Sequence, residues 1–104
     1  MDLIQHQDSP RHIRLNPVDN VAVVVNDQGV AAGSRFPDGL EAIESIPQSH
    51  KVALVDIAEG ASVVRYGQII GYALQPIARG SWVRESLLRM PAVPDLNSLP
   101  MADA

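Results

Sequence analysis

Apolar residues gather along this chain in short runs, and three of the runs lead into the same turn. Residues 52–55 (Val-Ala-Leu-Val) run into Ile57-Ala58-Glu59-Gly60-Ala61-Ser62-Val63, and residues 69–74 (Ile-Ile-Gly-Tyr-Ala-Leu) run into Ile77-Ala78-Arg79-Gly80-Ser81-Trp82-Val83. Upstream, residues 21–25 (Val-Ala-Val-Val-Val) precede Val30-Ala31-Ala32-Gly33-Ser34-Arg35-Phe36. Each turn reads apolar, Ala, any, Gly, any, any, apolar. Three copies in so short a chain point to a repeated structural unit.

The spacing predicts strand, tight reversal, strand in each copy. β-Branched residues suit a half-buried pleated surface, and one Gly supplies the positive φ that a tight turn needs. Glycine punctuates loops generally, so the turns also fit ordinary hairpins of a small β domain. Elsewhere, His12-Ile13-Arg14-Leu15 alternates as a short edge strand would, and Asn16-Pro17 with Asp19-Asn20 supplies turn chemistry before Val21. Asn26-Asp27-Gln28-Gly29 and Pro37-Asp38-Gly39 are further breaks, and Arg65-Tyr66-Gly67-Gln68 interrupts the central stretch. Residues 40–46 (LEAIESI) fit either a strand or a short helical turn, ended by Pro47, and residues 84–88 suggest a last strand. The expected organisation is a leader at 1–11, a domain at 12–89, and a Pro-rich linker at 90–104 that carries Pro91, Pro94 and Pro100. Such a linker suggests a piece of a longer chain.

Composition narrows the function classes. A chain of 104 residues, 46% hydrophobic and 19% charged, has the makings of one globular domain. Its net charge of −4 and single lysine, Lys51, argue against a nucleic-acid partner, because phosphate binding needs clustered cations. No cysteine is present, so no disulfide, thiolate site or cysteine nucleophile can form. No apolar run reaches membrane-spanning length and the first residues do not read as a signal peptide, so a cytoplasmic location without a membrane partner is expected.

The segments Asp19-Asn20-Val21-Ala22-Val23, His50-Lys51-Val52-Ala53-Leu54-Val55-Asp56-Ile57 with Gly60, Val64-Arg65-Tyr66-Gly67 and Ile70-Gly71-Tyr72-Ala73 resemble the N-terminal domain of the altronate and galactarate dehydratases. Residues 25–29 with 33–40, and Gly80-Ser81-Trp82-Val83, look like the galactarate branch. The resemblance covers nearly the whole chain. It implies a mainly β, compact β-clip (SAF-like) domain of short strands and long loops. It also implies a parent hydro-lyase that removes water from D-galactarate, giving 5-dehydro-4-deoxy-D-glucarate, with a divalent metal, usually iron. The remaining domains of such a parent would be partners, and an apolar face exposed without them could drive homodimerisation.

Dehydration needs a base for the proton α to the carboxylate, help for the departing hydroxide, and cations or a metal to hold the enediolate. His50 is the candidate catalytic residue or metal ligand, since it sits in a loop after Pro47 where imidazole can act as base, acid or donor. Its plainer reading is a surface histidine. Lys51, Arg65, Tyr66, Asn26, Asp27 and Arg35 are the substrate-binding candidates, because guanidinium grips carboxylate bidentately and phenol adds a hydrogen bond. Most single arginines are simply exposed and tyrosines often pack in cores. Neither an HExxH metal motif nor a Gly-rich phosphate loop occurs, so a complete catalytic apparatus is not visible. The chain alone is therefore expected to be inactive, either as a substrate-binding or gating module of the parent or as a non-catalytic sugar-acid-binding or assembly module.

Overall fold

The computed structural model describes residues 9–91, and seven short strands account for most of their regular structure. Strands β1 (His12–Ile13), β2 (Val21–Val24), β3 (Lys51–Ala53) and β6 (Trp82–Val83) form one antiparallel sheet in the order β1-β2-β3-β6. Strands β4 (Ser62–Arg65), β5 (Gln68–Ala73) and β7 (Leu88–Arg89) form a second, in the order β4-β5-β7. This is the expected mainly β fold of short strands and long loops.

Alternation along β2, β3 and β6 gives the first sheet two buried faces. The register pairs Val21 with Ala53 and Lys51 with Val83, and these residues share the face turned toward the second sheet. There Val21, Ala53 and Val83 pack with Val63, Ala73, Ile57, Ile77 and Leu88. The opposite face carries Ala22, Val24 and Val52, which pack with Val30, Phe36, Leu40, Ala42 and Ile46 from the long connection between β2 and β3. Small β-branched side chains thus build two cores rather than one.

The repeated turns are not hairpins. Gly60 N–H donates to Ala73 O and Ala73 N–H to Ala61 O, so the exit of that turn pairs with β5 and not with β3, which entered it. Gly80 stands in the same relation to Ala53. Each turn carries the chain from one sheet to the other, and the two cross antiparallel where Ile57 and Ile77 exchange hydrogen bonds of 2.8 Å. The two-way exchange at Gly33 with residue 42, together with Ser34 N–H to Ala31 O, repeats the pattern. Gly33, Gly60 and Gly80 have φ of 88°, 84° and 88°, which is the backbone that a turn with its third residue left-handed requires. Among the described residues the one two-residue hairpin, β4 to β5, runs through Tyr66 and Gly67, both at positive φ as a type I′ turn demands.

A fourth copy was hidden from the sequence pattern. Ile46-Pro47-Gln48-Ser49-His50 makes the same bonds, with His50 N–H to Pro47 O, Ser49 N–H to Val24 O and Val24 N–H to His50 O. Ser49, at φ 72°, takes the place of glycine. Residues 40–46 are extended and not helical, with bridges at Glu41 and Ile46, so Leu40, Ala42 and Ile46 point inward at period two while Ile43 is exposed. The last-strand reading of 84–88 needs correction as well. A 3₁₀ turn occupies Glu85–Leu87, and pairing begins only at Leu88.

Of the expected leader and linker, only residues 9–11 and 90–91 lie within the described residues. Residues 9–11 are tied down by Asn26, whose amide donates to Ser9 O and accepts from Arg11 N–H, both at 2.8 Å.

Candidate functional site

The sheet pleat separates two adjacent candidates. Lys51 lies on the face toward the second sheet, whereas the His50 ring meets Trp82, which sits on the other face.

Around Trp82 the polar groups are turned on one another. The indole N–H donates to His50 Nδ1 at 3.2 Å, and the two rings meet edge-on with centroids 5.1 Å apart. Glu44 accepts from the Trp82 backbone N–H and from the Arg84 guanidinium, at 3.0 and 3.1 Å. That guanidinium lies 3.9 Å over the indole ring. Because an indole N–H only donates, Nδ1 of His50 is the unprotonated nitrogen and the proton sits on Nε2. Either ring nitrogen can serve as base or metal ligand, but the Nδ1 lone pair already accepts from the indole N–H, and freeing Nε2 instead would move the proton to Nδ1, facing that N–H. The geometry therefore disfavours both roles for His50. Among the described residues no group of three or more His, Asp or Glu side chains is placed to hold a metal ion. These residues do not fit a metal centre.

On the other face, Lys51 and Arg65 open into a cleft of about 350 Å³ between the sheets, lined also by Ile69, Ile70, Glu85, Leu88, Met90 and Pro91. Both cations are half-buried, and among the described residues neither has an ion pair. Arg65 Nε is buried without a hydrogen-bond partner. Burial first, and then the Arg65 charge, hold the Lys51 amine below its ordinary pKa, while Glu85 pulls it back up. Two half-buried, unpaired cations in one concavity are matched to an anion.

The hairpin that carries Arg65 is anchored by two polar residues ahead of β2. Asp19 is buried and accepts from Tyr66 N–H at 3.0 Å, Gly67 N–H at 2.7 Å and Asn16 N–H at 3.1 Å. Burial works against its ionisation, but the amides of Gly67, Tyr66 and Asn16 outweigh it and leave the carboxyl below the ordinary range. Asn20 donates to Ser62 O and accepts from Val64 N–H, closing the edge of β4 onto β2. Sequence reading took Asp19-Asn20 for simple turn chemistry. Asp19 does close a turn with Asn16, but its other partners and those of Asn20 lie more than 40 residues away, which local pattern cannot reveal.

The other candidates do not converge on the cleft. Tyr66 extends from the hairpin tip, 59% exposed, with the Arg65 guanidinium 5.5 Å from its ring centroid. Asn26 is buried and holds residues 9–11. Asp27 is exposed and accepts a long 3.5 Å bond from Gln48, and Arg35 pairs with Glu41 at 3.1 Å on the surface. His12, which has no carboxylate at any motif spacing, meets Asp38 at 2.9 Å across 26 residues, and its ring lies tilted against Phe36 with centroids 4.8 Å apart.

Residues 10–91 match the family model described as the altronate/galactarate dehydratase SAF domain. The chain belongs to that family. This SAF domain is 50% identical to galactarate dehydratase (L-threo-forming) of Escherichia coli over 98% of its own length and 20% of that relative's. Against the altronate dehydratases of E. coli and Bacillus subtilis the identities are 40% and 34%, over 67% and 68% of the chain and 14% of each relative. The SAF domain thus spans about a fifth or less of the relatives it matches. No helix among its described residues is long and apolar enough to cross a membrane.

Proposed function

We propose that this chain is the N-terminal module of a sugar-acid hydro-lyase that converts D-galactarate to 5-dehydro-4-deoxy-D-glucarate, and that its Lys51–Arg65 cleft holds a carboxylate of the substrate. The observation that carries this reading is the pair of half-buried cations without counter-ions, in a chain half identical to a galactarate dehydratase along almost all of its length. Loss of the α-proton places a second negative charge on the carboxylate carbons and oxygens, and the β-hydroxyl then leaves with a proton as water. Cations fixed beside that carboxylate meet more charge in the transition state than in the ground state, so they accelerate the step as well as bind.

The base, the acid and a divalent metal, expected to be iron, belong in this reading to further domains of the parent chain. The described residues here form no metal site, and no step is assigned to the metal through them. The parent enzyme is cytoplasmic in this reading, and the 104 residues alone are inactive.

The second reading, a SAF-type binding or assembly module, draws on the apolar side chains left in solvent, among them Val18 at 64% and Met90 at 58% exposure. Such residues would seat other domains or a second copy. Galactarate turnover by the longer enzyme separates the two readings. Lys51→Met and Arg65→Gln abolish turnover with an unchanged melt if the cleft holds substrate, and leave it intact if the module only assembles. Turnover by the isolated 104 residues would refute the modular reading.

A further inference from the structure

The cleft's chemistry narrows what it can hold. Its charged groups are Lys51, Arg65 and Glu85, which sum to one net positive charge. The rest of its lining is Ile69, Ile70, Leu88, Met90 and Pro91, all apolar. A polyhydroxylated chain laid along that wall would give up hydrogen bonds to water and regain none. A carboxylate needs only the two cations of the lining, one of which, Arg65, holds its buried Nε without a partner. Glu85 stands in the 3₁₀ turn that connects β6, on the sheet of Lys51, to β7 on the other, and it forms no ion pair with either cation among the described residues. It is near enough to act on Lys51 through its charge. Its negative charge therefore remains in the cleft when an anion enters.

We infer that the cleft is a subsite for one singly charged carboxylate head group, with the hydroxylated chain directed out of it, and that Glu85 sets this charge limit by disfavouring compact dianions. The inference rests on the carboxylate-holding role proposed above and adds to it what the cleft rejects. Attraction to the cleft's net positive charge grows in proportion to the ligand's charge, whereas the cost of stripping water from a compact ion grows with the square of that charge. While Glu85 holds the net charge at one, a compact dianion therefore loses more than it gains. Removing the Glu85 charge multiplies the affinity of a dianion by the square of the factor gained by a monoanion. A gain of about threefold for a carboxylate then becomes about ninefold for a dianion.

The test is an NMR titration of the 104-residue protein, wild type and Glu85→Gln, with acetate, sulfate and galactarate at constant ionic strength and neutral pH. The wild type is expected to bind acetate and galactarate with amide shifts at Lys51, Arg65 and Leu88, and to bind sulfate more weakly. In E85Q sulfate gains about three times as much affinity as acetate does. Glu85→Ser repeats the comparison with a second neutral side chain. Equal gains for acetate and sulfate, sulfate binding as tight as acetate in the wild type, or the absence of any anion binding overturns the inference. Failure of the enzymatic reading is separately visible: turnover in the longer enzyme that is indifferent to Lys51→Met sinks that role, while charge selection in the isolated domain still stands or falls on the titration.

Discussion

The Trp82 cluster and the Lys51–Arg65 cleft lie on opposite faces of the first sheet, where β3 pairs with β6, and they treat polar groups in opposite ways. Around Trp82, the indole, His50, Glu44 and Arg84 bond to one another, and the His50 Nδ1 lone pair is taken up by the indole N–H. In the cleft, two cations share a concavity with no ion pair, and one buried nitrogen has no partner. Satisfied groups hold a fold together, whereas unsatisfied ones are tolerated where a ligand completes them. The difference teaches that proximity in sequence to a plausible catalytic residue is a weaker guide than the state of its hydrogen bonds.

The comparison breaks most sharply at the turns. A Cβ on Gly80 would lie 2.1 Å from the backbone oxygen of Glu41, in the segment that leads to Glu44, while one on Gly60 meets nothing within 4 Å. Gly80→Ala should destabilise by about 3 kcal/mol or more and Gly60→Ala by about 1 kcal/mol, read from denaturant unfolding. Similar losses would mean that the two sides are packed alike.

Asp19→Asn should lower the melting temperature clearly and blunt anion binding together, because the hairpin that presents Arg65 hangs on that carboxylate. Asp19 and Asp38 are both held below their ordinary value of 3.8, so each contributes stability that is present above that pH and lost as pH falls through the lowered value. An acid titration of stability should show this loss, reduced in D19N.

Lys51→Met should cost about tenfold in acetate affinity and leave the melt unchanged or slightly higher, since a desolvated cation beside Arg65 contributes little to stability. Its lowered amine pKa means that the folded state binds fewer protons than the unfolded one. Stability should therefore rise as pH climbs from the lowered value toward the ordinary 10.5, in the wild type and not in K51M.

Trp82→Phe removes the donor to His50 and should destabilise by about 1 kcal/mol with anion titrations untouched. His50→Ala in the longer enzyme should leave turnover within about threefold, roughly the rate equivalent of a single modest contact. Loss of turnover would restore His50 as a catalytic group and reverse the comparison. The smallest effect is expected at Ser49→Gly, a gain of about 0.5 kcal/mol from relieving a left-handed serine.

Much of the architecture was legible before any coordinates. The three Gly turns, the β character of the runs at 21–25, 52–55 and 69–74, which the strands at 21–24, 51–53 and 68–73 largely match, and the edge strand at His12 all follow from side-chain branching and φ requirements, which act locally. The fourth turn was not legible, because Ser49 adopts the glycine conformation without the glycine. Residues 40–46 were ambiguous because Leu40, Ile43 and Ile46 satisfy a helical spacing while burial follows Leu40, Ala42 and Ile46. Lys51 and Arg65 could be named as candidates but not paired, since 14 positions and a change of sheet lie between them.

By itself, then, the sequence determined that this chain would be a small β domain built on a repeated glycine turn, with the residue types for gripping a carboxylate. Local sterics and charge suffice for that. Only the tertiary structure decided that the turns pass between sheets instead of folding back, that His50 faces Trp82, and that Lys51 and Arg65 share one cleft. These depend on which distant backbone groups pair across the two sheets, and pairing between residues a dozen or more positions apart leaves no mark on the order of residues near either partner.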